Sequence, residues 1–205
     1  MTSNTFGTVA RNLALAGCVL AGTADAAIAQ GPGKYEAFSA KVANLSIGSG
    51  QDLKMDVFRW STDEERVALV AALKDKEASD DAVISAIQKG PSLGTIWTSE
   101  SLGYTIRYAH HDTLPNGSER VVLVTDRRFG SWSGQIWKPL RQADAVDYPF
   151  SVIELRLKPN GIGEGKTSLT TKVAADESGK ALGLVGYDAA PVVLRSARRE
   201  PGPAK

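Results

Sequence analysis

The sequence predicts an α+β domain: an antiparallel β-meander of eight to nine strands, curled into a partial barrel or a sandwich, with a two-helix insertion after the second strand. Three observations lead to this prediction. Short runs of alternating apolar and polar residues recur along the chain, and the turn at Asn116-Gly117 joins two of them. Thr62 and Glu65 stand at the spacing of a capping box, directly before apolar residues at helical spacing.

The elements follow from these patterns in chain order. The predicted strands are 35–47, 52–60, 95–97, 104–111, 119–126, 149–158, 166–174, 181–187 and 192–195, and the predicted helices are 63–75 and 80–89. The glycine-rich segment 159–165 is predicted to be a turn. In strand 149–158, Ile153, Leu155 and Leu157 are expected to point inward, and Glu154 and Arg156 toward solvent on the other face.

The composition indicates a globular protein and excludes some partners. The chain has 205 residues, 42% of them hydrophobic and 23% charged, which suffices for one domain with a core. Its formal net charge is +1, so no overall attraction to nucleic acid or to an anionic membrane is expected.

Residues 1–29 have the pattern of a secretory signal peptide. Arg11 is followed by an apolar run, 13–24, and by the cleavage pattern Ala27-Ile28-Ala29. Cleavage is predicted after Ala29, with Ala24-Asp25-Ala26 as the alternative site. The mature protein is therefore expected to be periplasmic or secreted, without a transmembrane span. It would comprise one domain, 31–197, and a flexible polar tail, 198–205.

Cys18 leaves a second processing route open. Leu15-Ala16-Gly17-Cys18 resembles the lipobox of bacterial lipoproteins, in which the cysteine becomes the lipidated first residue. Most apolar residues of the leader follow Cys18, however, which favours cleavage near Ala29. On that route the mature chain has no thiol, no disulfide and no cysteine ligand for a metal.

Several motifs resemble those of a group of uncharacterised secreted bacterial proteins. They are Trp60 to Arg66, Thr125-Asp126-Arg127, Tyr148-Pro149-Phe150 with Ile153-Glu154 and Arg156, and Gly163-Glu164-Gly165-Lys166. The resemblance covers nearly the whole mature chain and implies export and a single domain. It implies no activity, no cofactor and no catalytic residue.

The motifs of nucleotide and metal sites are incomplete in this sequence. Gly165-Lys166-Thr167 matches the end of a phosphate-binding loop, but Asn160 stands at the position of its first glycine, and a strand-like run follows it. His110 and His111 are the two histidines, and neighbours on a strand point to opposite faces. No cofactor and no metal are therefore predicted, although either histidine could serve as a general base.

The segment Arg127–Tyr148 is the predicted binding site, because it is long, lacks a regular pattern and carries tryptophans beside cationic groups. Its candidate residues are Arg127, Arg128, Trp132, Trp137, Lys138, Arg141 and Tyr148. Such groups suit stacking on a sugar or contact with an amphipathic ligand. The alternative is that the two tryptophans plug one end of the barrel.

Three functions remain open at this point. The first is an exported, non-enzymatic domain that binds a small amphipathic or glycan ligand, or an envelope protein. The second is an exported hydrolase with His110 or His111 as general base. The third is a structural accessory protein of a cell-envelope assembly that uses a sheet edge.

Overall fold

The computed structural model describes residues 35–43, 50–74, 80–99, 103–129, 148–168, 171–176, 179–190 and 193–201. The chain divides into two compact units, Met1–Gly31 and Pro32–Lys205, and all described residues belong to the second. The predicted leader, its cleavage site and Cys18 lie outside the described residues.

The described part of the chain contains ten strands and two helices. In chain order they are β1 (Glu36–Ala43), β2 (Gly50–Val57), α1 (Asp63–Lys74), α2 (Asp80–Lys89), β3 (Gly94–Trp97), β4 (Gly103–Thr113), β5 (Glu119–Thr125), β6 (Val152–Leu157), β7 (Ile162–Thr167), β8 (Val173–Ala175), β9 (Leu182–Leu184) and β10 (Leu194–Glu200). The two helices follow the second strand, as predicted. Neither has the length and apolar character of a segment that crosses a membrane.

Eight strands close into an antiparallel barrel in the order β1-β10-β7-β6-β5-β4-β3-β2. Closure occurs because β1 pairs with β2 along its length and with β10 on its other side, where Ser39 lies opposite Arg198. The predicted antiparallel β-rich fold is confirmed, and the sheet closes fully where the sequence left a partial barrel and a sandwich open. The two remaining strands, β8 and β9, pair with each other to form a separate ribbon.

Side chains fill the barrel interior. On β2, Leu53, Met55 and Val57 alternate with polar residues and are buried. The largest interior side chains include Phe38, Tyr104 and Phe129, and the rings of Tyr104 and Phe129 meet edge-to-face with centroids 4.8 Å apart. The binding surfaces considered below are accordingly on the outside of the barrel.

A second apolar layer covers the outer face of β4, β5 and β6. It joins outward residues of these strands to the helices and the ribbon, and its buried members are Leu69, Val70, Val83, Ile87, Tyr108, Val122, Val124, Phe150, Val152, Leu182, Leu184 and Tyr187. Val121 to Val124 are all buried, because β5 has the barrel interior on one side and this layer on the other. Among the described residues, no buried member of this layer comes from β1, β2 or β3.

The helix-start signal at Thr62 is confirmed in detail. The Thr62 amide donates to Glu65 Oε2 at 2.9 Å, and the Glu65 amide donates to Thr62 Oγ1 at 3.3 Å. Arg59 donates two hydrogen bonds to the Glu65 carboxylate, at 2.9 and 2.8 Å, and this contact lowers the pKa of Glu65. The reciprocal bonds fix the direction in which α1 leaves β2.

Three regions of the chain depart most from the boundaries that the sequence predicts. The turn after β6 ends at Gly161, so residues 162–165 belong to strand β7 and are not part of a glycine-rich turn. The long strands predicted at 166–174 and 181–187 are replaced by the end of β7 and the short ribbon strands. Strand β10 extends to Glu200, three residues into the segment 198–205 that was assigned to a flexible tail.

Candidate functional site

Three of the seven predicted binding residues are described, namely Arg127, Arg128 and Tyr148. The Arg127 guanidinium lies 4.8 Å from the centroid of the Tyr104 ring and donates to the Gly103 carbonyl at 2.6 Å. The Tyr148 hydroxyl accepts a hydrogen bond from the Val173 amide at 3.1 Å. Arg128 is half-buried. Trp132, Trp137, Lys138 and Arg141 lie outside the described residues, so their role stays a prediction.

The two histidines point to opposite faces of β4, as the strand geometry requires. The His111 ring faces the barrel mouth, where its centroid lies 4.5 Å from that of Trp60. The His110 ring points outward beneath α1. Its Nδ1 lies 2.8 Å from Arg66 Nη1, and its Nε2 lies 2.7 Å from Asp112 Oδ1.

These contacts fix the tautomer of His110. A guanidinium can only donate, so Nδ1 accepts from Arg66 and Nε2 carries the proton that is donated to Asp112. Burial lowers the pKa of His110, and the Arg66 charge acts in the same direction against the opposing effect of Asp112. With both nitrogens engaged, the neutral ring has no free lone pair for a substrate proton. Within the described ranges, no group of three or more His, Cys, Asp or Glu side chains could hold a metal ion.

The buried His110 gives an expected pH dependence of stability. At pH values above the unfolded-state pKa of about 6.5, the His110 ring is neutral in both the folded and the unfolded chain. Its protonation then has no effect on the free energy of unfolding. As the pH falls below that value, the unfolded chain binds a proton before the folded chain does, so the free energy of unfolding decreases. The groups that face the ring are Arg66 of α1, Asp112 of β4 and Arg120 of β5.

When the pH is lowered from 7.5 to 5.5, the urea concentration at the midpoint of unfolding should decrease in the native chain. We expect this decrease to be smaller in His110→Gln. Glutamine can accept from Arg66 and donate to Asp112, so the variant keeps both contacts but loses the titration. His111→Gln is the matched control, because the ring of His111 is exposed. An identical pH dependence in the His110→Gln variant and the native chain would contradict the assigned role.

Charged side chains form an ordered row on the outer wall beside His110. Asp112, Arg120, Arg156 and Glu164 lie opposite one another across β4, β5, β6 and β7. Arg120 donates to Asp112 at 2.6 Å and to Asp176 of the segment after β8 at 2.9 Å. Arg120 and Arg156 are neighbours of like charge in this row. Asp112 lies on the other side of Arg120, and Glu164 lies on the other side of Arg156.

Glu154 is buried on this wall, which corrects its predicted place on a solvent face. Its side chain is 1% exposed, because the ribbon covers it. One carboxylate oxygen accepts from Arg156 Nε at 3.2 Å and the other from the Leu184 amide at 2.9 Å. The alternation of β6 correctly indicated that Glu154 points away from the barrel interior, but it carried no information on what lies over that face.

The ribbon is held by side chains that accept its backbone amides. Leu182 donates to the Tyr108 hydroxyl at 3.0 Å, Leu184 to Glu154, and Val173 to the Tyr148 hydroxyl. A cleft of about 880 Å³ lies between the ribbon and the wall, lined partly by Arg120, Glu154 and Arg156. The charged groups of this cleft are engaged with one another, which indicates that they dock the ribbon.

A different arrangement occupies the outer face of β1, β2 and β3. Tyr35, Phe58 and Trp97 are 38%, 46% and 44% exposed, respectively, and are among the largest exposed apolar side chains of the described residues. The rings of Tyr35 and Phe58 stack with centroids 6.0 Å apart. Trp97 Nε1 donates to Asp56 Oδ2 at 3.1 Å, and the same carboxylate raises the pKa of the Tyr35 hydroxyl. We call Tyr35, Phe58, Trp97 and Asp56 the aromatic patch.

The Asp56 carboxylate raises the pKa of Tyr35 to about 12, and burial acts in the same direction with a smaller effect. Replacing Asp56 with asparagine is expected to bring the pKa of Tyr35 back toward 10.0, because the negative acceptor is lost. The measurement is a pH titration of ring-labelled tyrosines by carbon NMR, with Tyr35→Phe to assign the signal. A Tyr35 signal that titrates alike in the native chain and in Asp56→Asn would show that the patch is not organised by Asp56.

A groove of about 770 Å³ continues the aromatic patch along β2. Its lining residues are Gln51, Asp52, Lys54, Asp56, Trp97, Thr98 and Ser99. Asp52, Lys54 and Asp56 are the outward residues of β2, and Trp97 lies opposite Lys54 on β3. A flat aromatic surface therefore borders a row of polar groups that can both donate and accept hydrogen bonds.

The predicted residue Arg127 packs on the interior ring of Tyr104 and reaches the backbone beside Trp97. Its guanidinium binds the Gly103 carbonyl, and Gly103 is the β4 partner of Trp97. The sequence analysis missed Phe58 and Trp97 as site residues. The signal was present in β2, where Phe58 follows Asp52, Lys54 and Asp56 in the outward register and is the first apolar residue there.

Comparison of the chain with protein-family models, with curated proteins and with solved structures finds no match. The geometry of the described residues is therefore the basis for the function proposed below.

Proposed function

We propose that the mature chain is an exported, non-enzymatic domain that binds a ligand or an envelope partner through the aromatic patch. The observation that carries this proposal is the group of exposed aromatic side chains on one face of the sheet, where Tyr35 stacks on Phe58 and the Trp97 indole donates to Asp56. Exposed aromatic groups held in this way lose little conformational freedom on binding, which favours recognition.

The position of Arg127 supports a binding surface that extends beyond the strands. Arg127 begins the segment Arg127–Tyr148, which the sequence analysis assigns to ligand binding, and it contacts the same glycine as Trp97. We propose that residues of this segment, including Trp132 and Trp137, contribute to the same surface.

The alternative functions have less geometric support. A hydrolase that uses His110 as base would have to release its Nδ1 from Arg66 before the ring could accept a substrate proton. An accessory protein that uses a sheet edge would depend on the ribbon, because closure leaves no edge strand among the eight strands of the barrel. The binding proposal requires neither rearrangement.

Native mass spectrometry of the exported protein, purified from its own host, tests the binding proposal. We expect a bound species of discrete mass on the native chain that is lost when Phe58→Ser and Trp97→Ala are combined. Ile162→Ala is the matched control, because Ile162 is 52% exposed and lies on β7, away from the aromatic patch.

Two results would count against the proposal. A bound species retained by the Phe58→Ser/Trp97→Ala variant would place binding elsewhere on the molecule. An ester or glycoside hydrolysis activity abolished by His110→Gln would favour the hydrolase.

A further inference from the structure

We propose that the aromatic patch and its groove bind an uncharged polysaccharide, with one pyranose ring stacked on the exposed face of Trp97. This inference rests on the proposed binding function and adds the chemical class of the ligand. The position of the indole, the polar groups around it and their charge support this ligand class.

Contacts with Gly103 and Asp56 hold the Trp97 indole in place on the sheet. A Cβ atom placed on Gly103 would lie 3.3 and 3.4 Å from two atoms of the six-membered indole ring, so the ring rests against Gly103 where other residues carry a side chain. Its Nε1 is fixed by Asp56. The indole is thus held against β4 on one side and is open to solvent on the other, as a stacking surface requires.

The polar groups beside the indole ring match the hydrogen-bonding groups of a sugar. A pyranose presents apolar C–H groups on its faces and hydroxyl groups around its edge. Carboxylates of Asp52 and Asp56 can accept from such hydroxyls, and the Lys54 ammonium can donate to them. Thr98 and Ser99 also line the groove.

The charge of the groove favours a neutral glycan over charged ligands that also stack on aromatic rings. The lining carries two carboxylates and one ammonium group, so it offers no net attraction to a phosphate backbone or to a polyuronate. The acids and the lysine alternate along β2, and this near balance of charge suits an uncharged chain with many hydroxyl groups.

The length of the site favours a chain over a single sugar. The outward side chains of Asp52, Lys54, Asp56 and Phe58 follow one another every second residue, so the row extends about 20 Å along the sheet. Trp97 lies beside the middle of this row, opposite Lys54, and Phe58 stacks with Tyr35 at its end. Several sugar units can therefore contact the surface at once.

Isothermal titration calorimetry of the full exported chain with cellohexaose, chitohexaose, maltohexaose and mannohexaose tests the inference. We expect at least one of them to bind, and Trp97→Ala to weaken that binding by about tenfold, the value of one lost aromatic stack. Trp97→Phe should retain most of the affinity, because a smaller aromatic face remains. Ile162→Ala should bind as the native chain does, and a thermal melt of each variant establishes that it is folded.

The outcomes separate the ligand class from the binding function. If no hexasaccharide binds, or if polygalacturonate binds more tightly than all of them, the uncharged-glycan inference is overturned. The binding function still stands in that case, provided that the species on the host-purified protein depends on Phe58 and Trp97. If neither the hexasaccharides nor that species depend on these two residues, both proposals fail.

Discussion

Replacing Glu154 with alanine is expected to lower the free energy of unfolding by about 3 kcal/mol, because it removes one partner of a buried ion pair. The change leaves the Leu184 amide without its acceptor and takes a carboxylate from Arg156. The low end of the range for buried pairs applies here, because the Arg156 side chain is 33% exposed and keeps its contacts with Asp188 and Tyr187.

Urea denaturation at pH 7.5 measures this effect, and two variants give it a scale. Glu154→Gln keeps a carbonyl oxygen for the Leu184 amide but loses the charge. Its free energy of unfolding should therefore lie between those of the native chain and Glu154→Ala. Glu164→Ala is the matched control on the same face of the neighbouring strand, where the side chain is exposed, and should change stability by no more than about 0.5 kcal/mol. Equal losses for Glu154→Ala and Glu164→Ala would contradict the buried role of Glu154.

Replacing Gly163 with alanine should also cost about 3 kcal/mol, because β6 and β7 approach too closely for a methyl group at this position. A Cβ atom on Gly163 would lie 1.9 Å from the Arg156 carbonyl oxygen, so one of the two backbones would have to move. Chemical denaturation measures the loss, and a lowered thermal midpoint should accompany it.

Gly165→Ala provides the comparison within the same strand. There the nearest atom to an added Cβ is Leu155 Cδ2, at 2.5 Å, and the leucine side chain can rotate away. We expect a loss of about 1 kcal/mol at this position, at the low end of the range for overpacked cores. A Gly163→Ala variant no less stable than Gly165→Ala would show that backbone contact does not limit position 163.

Patterns local in the sequence predicted much of this fold. The hairpin of β4 and β5 is confirmed around Asn116-Gly117, and α1 begins at Asp63 because Thr62 and Glu65 bond reciprocally. Both features depend on residues that are close in the chain. For the same reason, the antiparallel order and the place of the helices after β2 could be read from the sequence.

Features that depend on distant residues could not be read in this way. The glycines at 163 and 165 indicated a turn, whereas their physical reason is the close approach of β6, which is known only once the strands are paired. The alternation of β6 placed Glu154 on the outer face, but its burial follows from the ribbon formed by residues 173–184. Trp97 is separated from Asp56 by both helices and becomes its neighbour only in the folded sheet.

The pairing of β1 with β10 determines when, during synthesis, the fold can be completed. Ser39 and Arg198 are hydrogen-bonded across this seam although 159 positions separate them in the chain. The first strand finds one partner early, but its second partner is made only after the other strands of the barrel, and contacts of such long separation form slowly. Until then the nascent sheet exposes unpaired backbone on β1 and β7, which other chains can add to. Residues 194–200 thus decide whether a newly made chain closes its barrel or leaves these strand edges open to association with other chains.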